Sequence, residues 1–419
     1  MRLARRLFAA ALLATLVAAP AAALSRKEKE RAELQTAPVI LVSIDGFRAD
    51  YLDRGLTPYL ALLARVGVRA EWLTPSYPTL TFPNHYSLVT GLVPDRHGIV
   101  GNGMIDSALG RFTMADRAAV QDGRWWGGEP IWVTLERAGR KTAPVFWPGS
   151  EAAIGGLRPA IWKPFDETLP DELRVDELLA RLDLPAGERP AFLTLYFELL
   201  DDAGHDFGPD APETNAAIAQ ADRMIGRLYD GLRARKLDRK VNLVVVSDHG
   251  MAALRPDGAL VLDELVDPAK LDRIYVSSVA HLAPLPGEEA AVQRALLGEH
   301  PHFTCYPPGG FPPAWRYGEN PRVPPITCQA ETGYRFGTRE WLAAHPDEPR
   351  GGNHGFPPEA VEMRALFIAT GPGIERGITV PAFANVHVQA LIAALTGVEP
   401  PPSDARRAVI APLLVKALR

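Results

Sequence analysis

Three aspartates and three histidines stand where apolar runs end or begin. Asp45 closes one run in SIDGFR. Asp201 and His205 follow a second in LLDDAGHDFGP, Asp248 and His249 end a third in VVSDHG, and His354 lies in GGNHGF ahead of a fourth. Imidazole and carboxylate donors without thiolate suit divalent zinc. Six ligands divide into two groups of three, which leaves each metal an open position for water or substrate. Three carboxylates in one cleft would otherwise repel and take up protons. Two Zn²⁺ together with one ionised alcohol would bring the charge of such a cleft to zero.

The segment Thr79-Leu80-Thr81-Phe82-Pro83-Asn84-His85-Tyr86 offers that alcohol. Pro83 and the NHYSLVTG after it predict a helix start, with Thr81 just ahead of it. A hydroxyl there feels the positive end of the helix dipole. Beside Zn²⁺ it can ionise near neutral pH and attack phosphorus. Taken alone, Thr81 reads more readily as a helix cap, and a D-H pair or a D-x-x-x-H spacing is common. The joint order is what is rare by chance.

Something must carry these groups to one place. Pro38–Ile44, Ala191–Phe197, Val241–Ser247 and Ala365–Thr370 are short, mostly apolar and rich in β-branched residues, the pattern of strands buried on both faces. Thr57-Pro58 opens a helical stretch closed near Gly67, with Thr as N-cap and Gly just past the end. Ile218, Ala221, Ile225, Leu228 and Leu232 trace one face of a longer amphipathic helix. Strand–helix alternation of this kind predicts a three-layer α/β/α fold with a mostly parallel central sheet. Ligand sites in such sheets form at the carboxyl ends of strands.

The chain has 419 residues, 23% of them charged, and two cysteines. That excludes a disordered or collagenous protein, a disulfide-dense fold and a zinc module built on four thiolates. Residues 1–23 have a basic head, an apolar run from Leu7 to Ala19 and the small residues Ala21-Ala22-Ala23. This is the pattern of a secretory signal peptide. Removing Arg2, Arg5 and Arg6 takes the formal net charge from −5 to −8. An acidic mature chain is a poor general nucleic-acid binder, and no later segment reaches membrane-spanning length. The expected protein is therefore exported, periplasmic or secreted. It would comprise an N-terminal extension (24–36) and a single catalytic domain (37–419). A Pro-rich insertion at about 299–330 should form an irregular surface loop from Pro301 to Pro325. Cys305 and Cys328 bracket most of it and are expected to pair in an oxidising compartment.

Read together, VSIDGFRADYL, YPTLTFPNHYSLVTGLVPDRHGIVGN, FWPGSEAAIGG, DDAGHDFGP, VVSDHGM, GNHGF and MRALFIATGPG resemble the motifs of nucleotide pyrophosphatase/phosphodiesterases of the alkaline phosphatase superfamily. The likeness runs from about Pro38 to Gly397. It implies two Zn²⁺ per chain and an alkaline-phosphatase-like fold. One zinc would be held by Asp201, His205 and His354, the other by Asp45, Asp248 and His249 with Thr81 Oγ. It implies a nucleotidyl-threonine intermediate, with a backbone N–H at the nucleophile and Asn102 of HGIVGN clamping the phosphoryl oxygens. The substrate would be a small nucleotide or other diester. Phe82, Phe165 of IWKPF and Tyr196 would hold its base by stacking, which tolerates any base.

Leu200 stands before Asp201 where many members have proline, a departure that removes no ligand. The chain ends soon after the catalytic region, so the somatomedin-like and nuclease-like domains of animal members are not expected. Sulfatase chemistry needs a C/S-x-P-x-R setting that Thr81-Phe82-Pro83-Asn84 lacks. A phosphomonoesterase needs added positive charge near Thr81, and a lipid-headgroup diesterase needs a pocket for a quaternary ammonium. These two remain the alternative readings. His85 and His97 are expected in satisfied structural roles and His387 in a helix opening near Asn385. His281, His300, His302 and His345 are expected on the surface or in loops.

Overall fold

The computed structural model describes residues 25–345 and 351–419. The expected signal peptide, residues 1–23, lies outside the described residues. Seven strands form the central sheet: β1 (Val39–Ile44), β2 (Val68–Ala70), β3 (Thr142–Val145), β4 (Phe192–Phe197), β5 (Asn242–Val246), and two later ones, Phe367–Thr370 and Ile378–Val380. β1 lies between β4 and β5, parallel to both, and β3 extends the sheet parallel to β4. Phe367–Thr370 is the exception, antiparallel to β5 and to β2. Its start, rather than its end, therefore meets the carboxyl end of β5.

The alternation of side chains explains the three layers. Ile40, Val42, Leu193, Leu195 and Val245 point to one side. There they pack with α1 (Pro58–Val66) and with the helices Asp171–Leu182 and Pro212–Ala234. Val39, Leu41, Phe192, Val244 and Val246 point to the other, against α2 (Thr81–Thr90) and the helices Ile131–Arg137 and His387–Thr396. The amphipathic face Ile218–Leu232 is buried as its spacing predicts.

The ends of α1 differ from expectation. Thr57 makes no capping bond; its hydroxyl reaches Leu52 O instead. Asp222, from Pro212–Ala234, accepts from the N–H groups of Tyr59 and Leu60. Gly67 has φ −116° and no left-handed turn. A Cβ there would lie 2.2 Å from Ala369 O, so glycine is required by the close passage of a neighbouring strand.

A second sheet follows: β6 (Leu271–Val276), β7 (Val279–Pro284), β8 (Gly298–His300), β9 (Phe303–Tyr306) and β10 (Ile326–Ala330), antiparallel in the order β6-β7-β10-β9-β8. The segment 301–325 is thus not wholly an irregular surface loop. It contains β9, and Phe311, Trp315, Tyr317 and Val323 are buried in the main core. Cys305 and Cys328 face each other across β9 and β10 and are disulfide-bonded. His281, expected on the surface or in a loop, is fully buried on β7, which is paired on both sides.

Candidate metal centre and active site

The carboxyl ends of β1, β4 and β5 deliver the aspartates. Asp45 follows β1 in a turn, and Asp248 and His249 follow β5. Beyond β4 the chain enters α3 (Leu199–Phe207), so Asp201 and His205 lie four residues apart on one helical face rather than in a loop. Leu200 is buried inside that helix. Gly46 makes the junction possible: its φ is +69°, and a Cβ would press 3.0 Å from Asp201 Oδ1.

Two clusters result. Asp45, Asp248 and His249 offer ligand atoms all within 4.8 Å of one another, as do Asp201, His205 and His354. The first cluster is fully buried; in the second, the His205 side chain is 36% exposed. The clusters touch, because the His249 and His354 rings stack at 3.6 Å. Each histidine is held the same way. Nδ1 lies near a backbone carbonyl: His205 to Gly352 O at 3.1 Å, His249 to Gly250 O at 3.0 Å, His354 to Thr79 O at 2.9 Å. An N–H donated there leaves the Nε2 lone pair facing the carboxylates, the tautomer that a metal requires.

The carboxylates fit a cation and little else. Asp45 Oδ1, Asp201 Oδ1 and Asp248 Oδ2 are buried with no hydrogen-bond partner, an arrangement that costs free energy unless a positive charge faces them. Burial pushes the Asp45 carboxyl well up, and the charges of Asp248 and Asp201 add to it. Burial also opposes ionisation of Asp201 and Asp248, yet positive charge facing them, which protonated His205 supplies to Asp201 and protonated His249 to Asp248, holds both below the ordinary range; a metal cation would take that part once the imidazoles are neutral. His354 is pushed down to about 3 by burial and by His249, so it stays a neutral donor.

Thr81 is the first residue of α2 rather than the residue ahead of it, and it is 8% exposed. Its Oγ lies 3.4 Å from His249 Nε2. The residues after it fix the turn. Asn84 accepts from Ser76 N and donates to the carbonyls of Pro78 and Leu80. Phe82 N donates to Asn102 Oδ1 at 3.0 Å. That backbone N–H is therefore taken, and the bond turns the Asn102 oxygen toward the start of α2. The Tyr275 hydroxyl of β6 has Ser277 and Asn102 as hydrogen-bond neighbours. No sequence signal singled out Tyr275.

A cavity of about 610 Å³ opens beside Thr81, lined by Phe82 and Phe165 and floored by Tyr196. Tyr196 has a second task, for its hydroxyl donates to Asp45 Oδ2 at 2.6 Å. Trp147, Met114 and the ion pair Arg117–Glu151 also line the cavity and escaped sequence reasoning. The FWPGSE block, which holds Trp147 and Glu151, was the signal available. His85 and His97 are fully buried and hydrogen-bonded. His387 opens the helix His387–Thr396.

A model of the type I phosphodiesterase/nucleotide pyrophosphatase family matches residues 39–357. The chain is 36% identical to a venom phosphodiesterase of Naja atra over 88% of its length, and 35% identical to human ectonucleotide pyrophosphatase/phosphodiesterase family member 1 over 89%. It spans under half of those two relatives, 45% and 41%. It covers 78% of a Schizosaccharomyces pombe pyrophosphatase/phosphodiesterase at 36% identity. Among solved structures, murine ectonucleotide pyrophosphatase/phosphodiesterase 5 matches with a TM-score of 0.85 and 33% identity, covering 90% of this chain and all of that one. That structure is of an inactive threonine-to-alanine variant in complex with AMP.

Proposed function

The chain belongs to the type I phosphodiesterase/nucleotide pyrophosphatase family, and on that premise we propose that it hydrolyses phosphodiester and pyrophosphate bonds of nucleotides, releasing nucleoside 5′-monophosphates through a covalent nucleotidyl-threonine. The observation that carries this reading is a pair of touching Asp/His clusters, one of them set against the Thr81 hydroxyl. Two zinc ions, one among Asp45, Asp248, His249 and Thr81 and the other among Asp201, His205 and His354, would supply Lewis acidity for the attacking and departing oxygens.

The chain's own groups account for the rest. The start of α2 favours negative charge on Thr81 Oγ. That oxygen bonds to phosphorus as the bond to the leaving oxygen breaks, and water later displaces Thr81 to give the monophosphate. The Asn102 amide nitrogen meets the charge that grows on a phosphoryl oxygen, oriented by its bond from Phe82 N. Phe82, Phe165 and Tyr196 supply π-faces for a base, so broad base tolerance follows. Glu151, Glu198, Asp201 and Asp202 line the cavity with Arg117 as its cation. Arg117 is already paired, which disfavours a dianionic monoester. The secretory pattern of residues 1–23 supports export.

The test compares kcat/KM for p-nitrophenyl thymidine 5′-phosphate and p-nitrophenyl phosphate. Preference for the diester is expected; preference for the monoester would overturn the reading.

A further inference from the structure

His85 lies one turn into α2, fully buried, and the chemistry above leaves it without a task. Its Nδ1 is 2.9 Å from the carbonyl oxygen of Thr81 and 3.3 Å from Asp248 Oδ2. Its Nε2 is 2.8 Å from Ser43 Oγ, on β1. Both atoms near Nδ1 are pure acceptors, so Nδ1 carries the proton, and Nε2 accepts from the Ser43 hydroxyl. Trp147 and Tyr196 meet the ring edge-on at 5.0 and 5.2 Å, and Trp147 Nε1 donates to His85 O at 3.1 Å. The ring has no room to turn away.

A contact to the carbonyl four residues back would by itself be an ordinary helical bond. The second acceptor is different. Asp248 is 163 residues further along the chain, and its buried Oδ2 makes no hydrogen bond of its own; the Nδ1–H of His85 faces it at 3.3 Å.

We propose that His85 is a positioning residue: its Nδ1–H, bonded to the Thr81 carbonyl and turned toward Asp248 Oδ2, holds the start of α2 and so the Thr81 hydroxyl against the buried cluster. This rests on reading Thr81 as nucleophile and Asp248 as a metal ligand. Groups that orient metal ligands change metal affinity or activity by about 10- to 100-fold when replaced.

Two substitutions separate the two ring nitrogens. In His85→Asn the amide nitrogen falls near the place of Nδ1; in His85→Gln it falls near Nε2. His85→Gln should lose about 10- to 100-fold in kcat with KM within about threefold. Calorimetric titration of the metal-free protein with Zn²⁺ should show one of two equivalents weakened about tenfold. His85→Asn should stay within about threefold of the parent in both. Equal losses in the two variants, or parental zinc affinity in His85→Gln, would overturn the proposal. Should His85→Gln not fold, His85→Asn decides: retained zinc affinity supports it, and a loss beyond tenfold overturns it. Absence of diester turnover in the parent would strike the proposed function alone, since the zinc titration still tests His85.

Discussion

The two halves of the metal centre use nearly the same ligand types and differ in their setting. Asp45, Asp248 and His249 sit at strand ends with no solvent contact, backed by Tyr196, Ser247 and His85. Asp201, His205 and His354 sit on α3 and a loop; His205 is over a third exposed and Asp201 leans only on imidazoles. The sheet thus builds a buried half beside the hydroxyl, and α3 with its loop builds a more open one, the side on which the proposed reaction would lose its leaving group and admit water. In an open α/β sheet, strand ends supply precision and the elements above them supply access.

Thr81→Ala should have the largest effect. It should cut turnover by about 10³-fold or more while both metals stay bound, because the proposed nucleophile is lost and each metal would keep its three Asp/His ligands. Turnover assays with metal analysis of the same sample check it. Unchanged turnover would remove Thr81 from the mechanism.

Next in size is the contrast between the halves themselves. His249→Ala should release metal from the buried half and lower the melting temperature. His205→Ala should lose one equivalent and about 100-fold in kcat with little change in melting temperature. Stopped-flow chelation of the parent should show two phases, the faster assigned to the accessible half by its absence in His205→Ala. A single phase would make the halves equivalent.

Smaller again is Phe165→Ala, which should raise KM for a nucleotide diester by about five- to tenfold at unchanged kcat, since stacking of a base on a ring is worth about 1–3 kcal/mol. Steady-state kinetics check it.

The smallest effect concerns histidines outside the centre. His97 is held near 3 by burial; its Nδ1 accepts from Ile99 N and its Nε2 faces Ser87 Oγ. His281 is held near 4, also by burial. In the unfolded chain both would titrate near 6.5, so below that pH the unfolded state binds more protons and stability falls, the loss running down to about pH 3–4. Melting temperature should drop as pH goes from 7 to 5, and His97→Gln should shallow that slope. An unchanged slope would clear His97.

The central sheet was legible because strands buried on both faces must be continuous apolar runs, and four such runs stand at 38–44, 191–197, 241–247 and 365–370. The direction of Phe367–Thr370 was not, since burial pattern carries no polarity. Asp45, Asp201, His205, Asp248, His249 and His354 could be picked out by type and by following or preceding those runs; the structure gathers them into two touching clusters, with Thr81 Oγ against His249. The second sheet was hidden because β6 to β10 are short and mix polar with apolar residues, and because β10 reaches β7 and β9 only across long connections. Tyr275 and the burial of His281 went unseen with it. Gly67 read as a helix stop when its cause is Ala369, three hundred residues away.

The most direct trial is anomalous diffraction at the zinc edge from crystals of the mature protein. Two peaks are predicted, one enclosed by Asp45, Asp248 and His249 with Thr81 Oγ against it, the other between Asp201, His205 and His354. A single peak, or two with Thr81 Oγ turned away from both, would contradict the account.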